Sequence, residues 1–586
     1  MKYKPISKGA EFFYELIENN CYYVDKTLLV KELLDRNDKV TVFTRPRRFG
    51  KTLTLTMLKT FFEEEYDRDG NIIDKNDLFK GLNIMGTGEN YTSHLGQYPV
   101  IFLSLKNTKY TDYVSAFEGI SHSVQDEYDR HGYLATSDRL SPRLKKAFES
   151  IYLCDSKWQR RDELNLTREE LKEAFNKEVS LFSESLKVLS RCLKAHHGRS
   201  AIILMDEYDV PLENAWREGF YQEMIGFIRS FFENSFKTND GLFKAVITGC
   251  LRVSKESIFT GMNNLYINSI LDDNYGEYIG FTDAEIKKMC EDYDLADKYP
   301  EVKDWYNGYN FGQANVYNPW STMYYVSDHV DNHDKFPVAY WANTSGNAIV
   351  RTLIDRAGRE VKDEIETLIS GGSIEKPIHE DITYDEIDSD KVIDNLWNFM
   401  FFTGYLKKVN ERFEGEQRYF SLEIPNKEVL YIFNNKIREW FDGKLKQRNA
   451  EPLYAAIQLK DTEKIRNEIR NMLYTSISYH DYYENFYHGF LAGVLYGMDR
   501  YVVKSNRESG TGRTDLFIKP AYREEPTYIF EFKVAKEFKD MEKEAKKALQ
   551  QIHDKSYDSE LIDDGYENIT YYGVSFYGKD CFIVVE

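Results

Sequence analysis

Three charged residues near the C-terminus have the types and spacing that divalent-metal chemistry on phosphates requires. Asp515 precedes an apolar stretch, and Glu531 and Lys533 lie two residues apart inside the next one. Because strand side chains alternate between two faces, Glu531 and Lys533 are predicted to point the same way. Asp515 and Glu531 could share Mg²⁺ or Mn²⁺, and Lys533 could hold the attacking water or neutralise charge on a phosphate. This pattern favours a nuclease, although a solvated strand face with a Glu/Lys pair is the alternative.

Two predicted helices flank these strands. Residues 482–491 form an apolar helical pattern that carries Glu484 and His488 four residues apart, and therefore on one face. Glu484 is a candidate third metal ligand and catalytic acid, although a salt bridge would explain it equally well. Downstream, residues 542–555 predict a second helix, which holds Gln550 and Gln551.

The C-terminal pattern resembles the PD-(D/E)XK nuclease superfamily. The residue before Asp515 is Thr514, where the family name leads one to expect Pro. The resemblance implies an αβββαβ core in which the first helix donates an acid to the metal site. It also implies a Gln in the second helix, where this chain has Gln550 and Gln551.

A second group of candidate residues lies near the N-terminus. Residues 39–44 predict a β-strand, and a loop ending in Gly50-Lys51-Thr52 leads into a helical pattern. Strand, loop, Gly-Lys-Thr and helix form the context of a phosphate-binding P-loop. Backbone amides of the loop, which includes Arg48 and Gly50, would bind phosphates, Lys51 would reach the β and γ oxygens, and Thr52 would ligate Mg²⁺. Arg45 replaces the first P-loop glycine, so its side chain must point away from the nucleotide.

Two later strands supply matching acidic and polar residues. An apolar run at 200–205 ends in Asp206 and Glu207, a Walker B pattern in which Asp206 would hold Mg²⁺ through water and Glu207 would polarise the hydrolytic water. The strand 243–249 contains Thr248 where a γ-phosphate sensor belongs, and Arg252 follows as a sensor or finger. Each strand alone would suit an ordinary α/β core, but the three in this order predict an ATP-binding NTPase.

These stretches resemble the AAA-ATPase-like proteins that pair a degenerate P-loop NTPase with a C-terminal PD-(D/E)XK nuclease domain. The likeness continues through Tyr22–Thr27, Trp305–Tyr309, Tyr317–Trp320, Ile424–Asn426 and Ser505–Gly510. It implies an α/β multidomain protein with an AAA-like parallel sheet, a helical lid and a C-terminal αβββαβ domain. It also implies use of ATP and cleavage of nucleic acid.

Length and composition bound the remaining possibilities. A chain of 586 residues is too long for one hydrophobic core, and we expect an ATPase domain at 1–280, a helical lid and small α+β region at 281–445, and a nuclease-like domain at 446–586. The aromatic residues of the middle region, Trp320 among them, predict lid packing rather than a platform for single-stranded bases. The six scattered cysteines predict a reducing cytoplasm, and the absence of a long apolar run predicts no membrane span.

The net charge of −20 argues against a protein that coats nucleic acid non-specifically. Nucleic-acid binding would therefore need a local basic patch, and a homo-oligomer or a protein partner is left open.

The leading interpretation is an ATP-regulated nuclease acting on DNA or RNA. The alternative is a nucleotide-dependent switch or scaffold, of a signalling type, whose nuclease fold binds nucleic acid or protein without cutting.

Overall fold

The structure, a computed structural model, divides into two compact units. The first comprises Met1–Ala357 with Gly371–Ile432, and the second comprises Gly358–Ser370 with Phe433–Glu586. The residues that the structure describes are 3–67, 70–155, 167–251, 258–259, 262–341, 359–380, 392–434, 450–476, 487, 490–491, 494–495, 498, 501–509, 512–520, 523 and 525–586.

The first unit contains a five-stranded parallel sheet. Its strands are β1 (Val40–Thr44), β2 (Val100–Ser104), β3 (Ala201–Asp206), β4 (Leu242–Gly249) and β5 (Leu265–Asn268), in the order β2-β3-β4-β1-β5. β3 has the sequence Ala-Ile-Ile-Leu-Met-Asp, and every residue of β1 and β3 is buried, as expected for a parallel sheet covered on both faces. Because β4 lies between β1 and β3, the carboxyl ends of all three strands meet at one edge of the sheet.

Helices cover this sheet and continue into the rest of the first unit. Several begin at side-chain caps that the sequence supplies, such as Asp112, which accepts from Ser115 N, and the capping boxes at Thr167 and Thr282. The described α-helices span Phe13–Glu18, Leu28–Arg36, Lys51–Phe62, Asn76–Phe79, Glu89–Thr92, Tyr113–Arg130, Pro142–Tyr152, Arg168–Ser183, Ser185–His197, Val210–Glu218, Tyr221–Phe236, Asp283–Asp292, Tyr299–Tyr306, Pro319–Asp331 and Val392–Phe402. Short 3₁₀ helices span Asn83–Gly86, Gly132–Thr136 and Ala296–Lys298.

Two small antiparallel sheets lie in the later part of the first unit. One contains β6 (Phe281–Thr282), β7 (Tyr309–Phe311) and β8 (Ala314–Tyr317), and the other contains β9 (Ile374–Pro377), β10 (Lys407–Glu414) and β11 (Gln417–Glu423). Helices and short strands therefore alternate here, and the boundaries 281 and 445 remain predictions.

The second unit is built on a mixed sheet. Its strands are β12 (Tyr501–Ser509), β13 (Gly512–Pro520), β14 (Thr527–Val534), β15 (Ile569–Tyr577) and β16 (Asp580–Val585), paired in that order. β14 and β15 are parallel and are joined through the helix Met541–Asp554, and the other pairs are antiparallel. Its remaining helices are Arg359–Ile369, Glu451–Gln458, Thr462–Ser476, Ser559–Asp563 and the 3₁₀ helix Phe538–Asp540.

The predicted order of three strands, a helix and a strand is therefore present, and β16 extends it. Of the predicted preceding helix 482–491, Tyr487, Phe490 and Leu491 are helical and buried in the core on one sheet face, as are Val494 and Leu495 just after it. That core also contains Phe530 and Phe532. The helix Met541–Asp554 packs on the opposite face, where Phe517, Ile529 and Ile552 form a second cluster.

Among the described residues, no helix combines the length and the apolar character needed to cross a lipid bilayer.

Candidate nucleotide and nuclease sites

A cavity of about 330 Å³ lies beside the loop that follows β1. This volume is within the range of small-molecule sites in proteins, on the order of 300–1,000 Å³. The loop contributes Arg47 to Thr52, and Glu207 lies just after β3. The other walls come from Ser7–Glu11, Tyr22–Val24, Lys26, Lys106, Lys109 and residues of the 278–281 and 319–324 segments.

The lining of this cavity is strongly cationic. It contains Lys8, Lys26, Arg47, Arg48, Lys51, Lys106 and Lys109, but only two acidic residues, Glu11 and Glu207. Four of these cations are paired with carboxylates: Lys8 with Asp328, Lys26 with Glu285, Arg47 with Glu213 and Lys106 with Glu11. The remaining positive charge, in a chain whose net charge is −20, suits a polyanionic ligand such as a triphosphate.

Two residues of this loop have a left-handed backbone conformation. Arg48 (φ 71°) and Gly50 (φ 83°) both lie in the left-handed region, which costs a non-glycine residue on the order of 1–2 kcal/mol. A Cβ at Gly50 would meet nothing within 4 Å, so glycine is required there by backbone conformation rather than by space. The Arg48 guanidinium stacks on the Trp320 ring at 4.0 Å, which helps to hold the strained residue.

Arg45 points away from the cavity, as the sequence predicts. Its fully buried guanidinium donates to the carbonyl oxygens of Thr44 (3.0 Å) and Asn268 (2.9 Å) and to the Asn268 side chain. Burial lowers the pKa of Arg45 to about 9. The residue that replaces the first P-loop glycine thus fastens the loop to β5.

Four predicted nucleotide-site residues come together at the carboxyl ends of the strands. Lys51 Nζ donates to the Arg45 and Pro46 carbonyl oxygens, both at 3.0 Å. The Thr52 hydroxyl donates to Asp206 Oδ2 at 2.6 Å, and the Thr248 hydroxyl donates to Asp206 Oδ1. Asp206 is fully buried. Its carboxylate therefore links the P-loop hydroxyl to the β4 hydroxyl, and the oxygen donors of Thr52 and Asp206 suit a hydrated Mg²⁺.

Glu207 lies at the wall of the same cavity in a left-handed conformation (φ 53°). Burial raises the pKa of its carboxyl, and the nearby Lys51 ammonium opposes that effect. A raised pKa is characteristic of a carboxylate suited to accept a proton near neutral pH. Arg252, the predicted sensor or finger, lies outside the described residues.

The predicted nuclease residues meet across β13 and β14. Leu516 pairs with Phe530, so Asp515 lies beside Glu531. The Asp515 amide donates to Glu531 Oε2 at 3.4 Å, and Asp515 Oδ2 accepts from the Phe532 amide at 2.8 Å. Lys533 Nζ lies 3.6 Å from Glu531 Oε1, so the two side chains share a face as the alternation predicts. Glu531 is only 2% exposed, which makes a solvated strand face wrong for this residue.

The helix Met541–Asp554 completes this cluster. Gln551 donates to Glu531 Oε1 and to the Tyr557 hydroxyl at 3.2 Å, whereas Gln550 donates to Asp554 on the exposed side. Burial raises the pKa of Tyr557. The sequence identified the Gln pair, but only the helix orientation selects Gln551.

The two carboxylates at this site, those of Asp515 and Glu531, could bind a divalent cation. Within the described part of the chain, no cluster of three or more His, Cys, Asp or Glu could hold a metal ion. Asp515 and Glu531 supply the oxygen ligands that Mg²⁺ and Mn²⁺ favour. The predicted third acid, Glu484, and its neighbour His488 lie outside the described residues.

Gly573 sets the approach of that helix to the sheet. It lies opposite Glu531 on β15, and a Cβ there would collide with Ala545 O and would lie 2.6 Å from Leu549 N. We expect Gly573→Ala to destabilise the protein by about 1–3 kcal/mol, because backbone atoms must move. Thermal unfolding followed by circular dichroism would measure this effect.

The matched control for this prediction is Gly226→Ala. Gly226 lies inside the helix Tyr221–Phe236, and a Cβ there meets nothing within 4 Å. Alanine should stabilise that helix by up to about 1 kcal/mol. If Gly573→Ala unfolds at the parent temperature, the close helix–sheet contact is not as described.

Two family models match separate segments of the chain. Residues 7–259 match the family model described as predicted AAA-ATPase, and residues 482–586 match the model described as PD-(D/E)XK nuclease superfamily. The chain joins an AAA-ATPase-like segment to a PD-(D/E)XK nuclease-superfamily segment. The first match includes the P-loop and Asp206, and the second includes Asp515 and Glu531.

A curated relative shows a weaker likeness. It is an uncharacterized protein in the vnfD 5′ region of Azotobacter chroococcum mcd 1, 26% identical over 331 residues. The match covers 55% of this chain and 52% of the relative, so the chain spans about half the length of the relative it matches. No solved structure matches the chain.

Proposed function

We propose that the protein binds and hydrolyses ATP in its N-terminal cavity and cuts DNA or RNA with a metal-dependent site in its C-terminal unit, and that ATP regulates the cutting. The observation that carries the proposal is the buried Glu531 carboxylate, which Asp515, Lys533 and Gln551 surround. A carboxylate pair with one adjacent ammonium matches the needs of phosphodiester hydrolysis.

At the cavity, each residue has a role that follows from its position. Lys51 would exchange two neutral carbonyl acceptors for charged phosphate oxygens, which form stronger hydrogen bonds. Thr52 and Asp206 would hold Mg²⁺, and Thr248 would keep the Asp206 carboxylate oriented. Glu207 would accept the proton of the attacking water, and Arg48 would contact phosphate.

In the C-terminal unit, Asp515 and Glu531 would hold Mg²⁺ or Mn²⁺, which lowers the pKa of bound water and polarises the phosphate. Lys533 would orient the nucleophile or offset the charge that develops on phosphate. Gln551 would help to orient the Glu531 carboxylate through its hydrogen bond to Oε1. Glu484 remains the proposed third acid.

Regulation by ATP is supported by the contact between the P-loop and the 281–445 region. Arg48 stacks on Trp320, and the helix Pro319–Asp331 that carries Trp320 also lines the cavity. A phosphate that attracts Arg48 would weaken this stacking, so the helix would respond to nucleotide. We therefore propose that 281–445 acts as a lid between the ATPase region 1–280 and the nuclease region 446–586.

A single assay tests the proposal and separates it from a non-cutting switch. Supercoiled plasmid, single-stranded DNA and single-stranded RNA are incubated with the protein, Mg²⁺ or Mn²⁺, and with or without ATP. Cleavage that depends on metal, changes with ATP and is lost in Glu531→Ala supports the proposal. Metal-independent cleavage, or equal cleavage by Glu531→Ala, would contradict it.

Asp515→Asn should abolish Mn²⁺ binding at the nuclease site. Asparagine keeps the oxygen that accepts from the Phe532 amide but removes the charge, so the fold should be retained while the cation loses one of its two carboxylates. Calorimetry with Mn²⁺ and no nucleotide measures the effect. Asp563→Asn, an exposed acid in the same unit, is the control. Unchanged Mn²⁺ binding by Asp515→Asn would place the metal elsewhere.

A further inference from the structure

Two exposed aromatic side chains lie at the end of the nuclease site. Phe538 is 57% exposed and Tyr577 is 37% exposed, and their ring centroids are 6.2 Å apart. Phe538 opens the short helix that follows β14, and Tyr577 is the last residue of β15. We name Phe538 and Tyr577 the aromatic pair. Large aromatic rings exposed next to a polar site are available to contact a ligand.

The aromatic pair continues the sheet face that carries the predicted catalytic residues. Along β15, Gly573 contacts the helix Met541–Asp554 and the Ser575 hydroxyl donates to Met541 O, so both residues point to the helix side. Because side chains two residues apart on a strand share a face, Tyr577 also points to the helix side. Gly573 lies opposite Glu531 and Ser575 lies opposite Lys533. Tyr577 is thus four residues beyond Gly573, the residue that pairs with Glu531, or about 13 Å along the strand.

Lysines flank the two rings in the chain. Lys533 stands at the site, Lys536 and Lys539 are exposed on the segment that carries Phe538, and Lys579 follows Tyr577 in the next turn. Lys539 pairs with Glu537, and Asp540 lies close in sequence. The segment 533–540 therefore carries three lysines against two acids, inside a unit whose composition is acidic. Exposed rings interleaved with lysines form the pattern that binds single-stranded nucleic acid.

We propose that the aromatic pair is a stacking platform for unpaired bases and that the nuclease site acts on single-stranded segments of DNA or RNA. The inference rests on the proposed nuclease function and names its substrate class. Bases of the strand would stack on Phe538 and Tyr577, and the phosphate backbone would pass Lys536 toward Lys533. Bases inside a duplex already stack on each other, so a duplex could not use the platform.

Binding of labelled oligonucleotides to the full chain tests the platform. Fluorescence anisotropy in EDTA, which prevents cutting, would measure the Kd for an oligothymidine of about 20 nucleotides, an oligouridine of similar length and a DNA duplex. The variants are Phe538→Ala/Tyr577→Ala, the ring-retaining Phe538→Trp, and Phe413→Ala. Phe413, on β10 in the first unit, is 68% exposed and so is a matched control for loss of an exposed ring.

The double variant should bind both single strands about tenfold more weakly, the lower part of the range for lost base stacking. Phe538→Trp and Phe413→Ala should bind like the parent, and duplex affinity should change less than about twofold in every variant. Thermal unfolding would confirm that the double variant is folded, as expected for two surface substitutions.

Three results would overturn the inference: parent-like single-strand binding by the folded double variant, an equal loss of duplex affinity, or no binding by the parent. The nuclease proposal fails separately. If the parent shows platform-dependent binding but never cuts with Mg²⁺ or Mn²⁺, the platform stands and the proposed cleavage does not. If the parent cuts and the double variant cuts single strands equally well, the cleavage stands and the platform does not.

Discussion

Lys533→Ala is expected to lower the rate of metal-dependent cleavage about 10²–10³-fold, or roughly 2.7–4 kcal/mol in transition-state stabilisation. The Lys533 ammonium lies 3.6 Å from the Glu531 carboxylate and is largely shielded from solvent, so in the proposed reaction its charge would act where phosphate charge develops. An ordinary surface lysine contributes little to rate or stability. The initial cleavage rate of a labelled single strand under single-turnover conditions measures the effect.

Two further measurements make this test specific. Lys533→Ala should retain Mn²⁺ binding, because Asp515 and Glu531 remain, and it should unfold near the parent temperature. The control is Lys547→Ala on the helix Met541–Asp554, where the lysine is exposed and pairs with Glu544 three residues away. This control should cut like the parent. Parent-like cleavage by folded Lys533→Ala would show that the Glu531–Lys533 strand does not carry the chemistry.

Glu207→Gln should lower ATP hydrolysis about 10²–10⁴-fold while ATP still binds. Glutamine keeps the shape of the side chain at the cavity wall but removes the group that accepts a proton from water. Lys51→Ala should instead weaken ATP binding itself, because it removes the ammonium inside the loop. Phosphate release measures hydrolysis, and a fluorescent ATP analogue measures binding.

The pH dependence gives this second prediction an independent readout. Burial raises the pKa of Glu207, and the base must be deprotonated to act. Hydrolysis should therefore fall as pH decreases through that raised pKa, at a higher pH than an ordinary glutamate would give. The residual hydrolysis by Glu207→Gln should not show this fall at low pH. Glu218→Gln, at the end of the helix Val210–Glu218, is the control and should keep it. Equal hydrolysis by Glu207→Gln and the parent would refute the assignment.

Local sequence patterns determined the strands and which of their side chains share a face. The apolar runs ending at Thr44, Asp206 and Gly249 form β1, β3 and β4, because a buried parallel strand needs continuous apolar residues. Two-residue alternation placed Glu531 with Lys533, since the period of a strand is a property of its backbone. The replacement of a P-loop glycine by arginine likewise predicted that Arg45 turns outward.

The choice between neighbouring residues required the tertiary structure. Gln550 and Gln551 are adjacent residues of the same type, so the sequence does not distinguish them. Only the packing of the helix on Gly573 turns Gln551 toward Glu531. The strand order is a similar case, because β4 enters between β1 and β3 and thereby brings Thr248 to the same carboxylate as Thr52.

Some walls of the P-loop cavity were set by the fold alone. Ser7–Glu11 and Trp320 carry no periodic or motif signal for a shared cavity, yet both line it. Arg48 meets Trp320, which lies in a distant part of the chain. Periodicity arises from backbone geometry within a few residues, so sequence alone reveals it. A contact between distant segments depends on how whole elements pack to bury their apolar faces, and only the folded chain decides that.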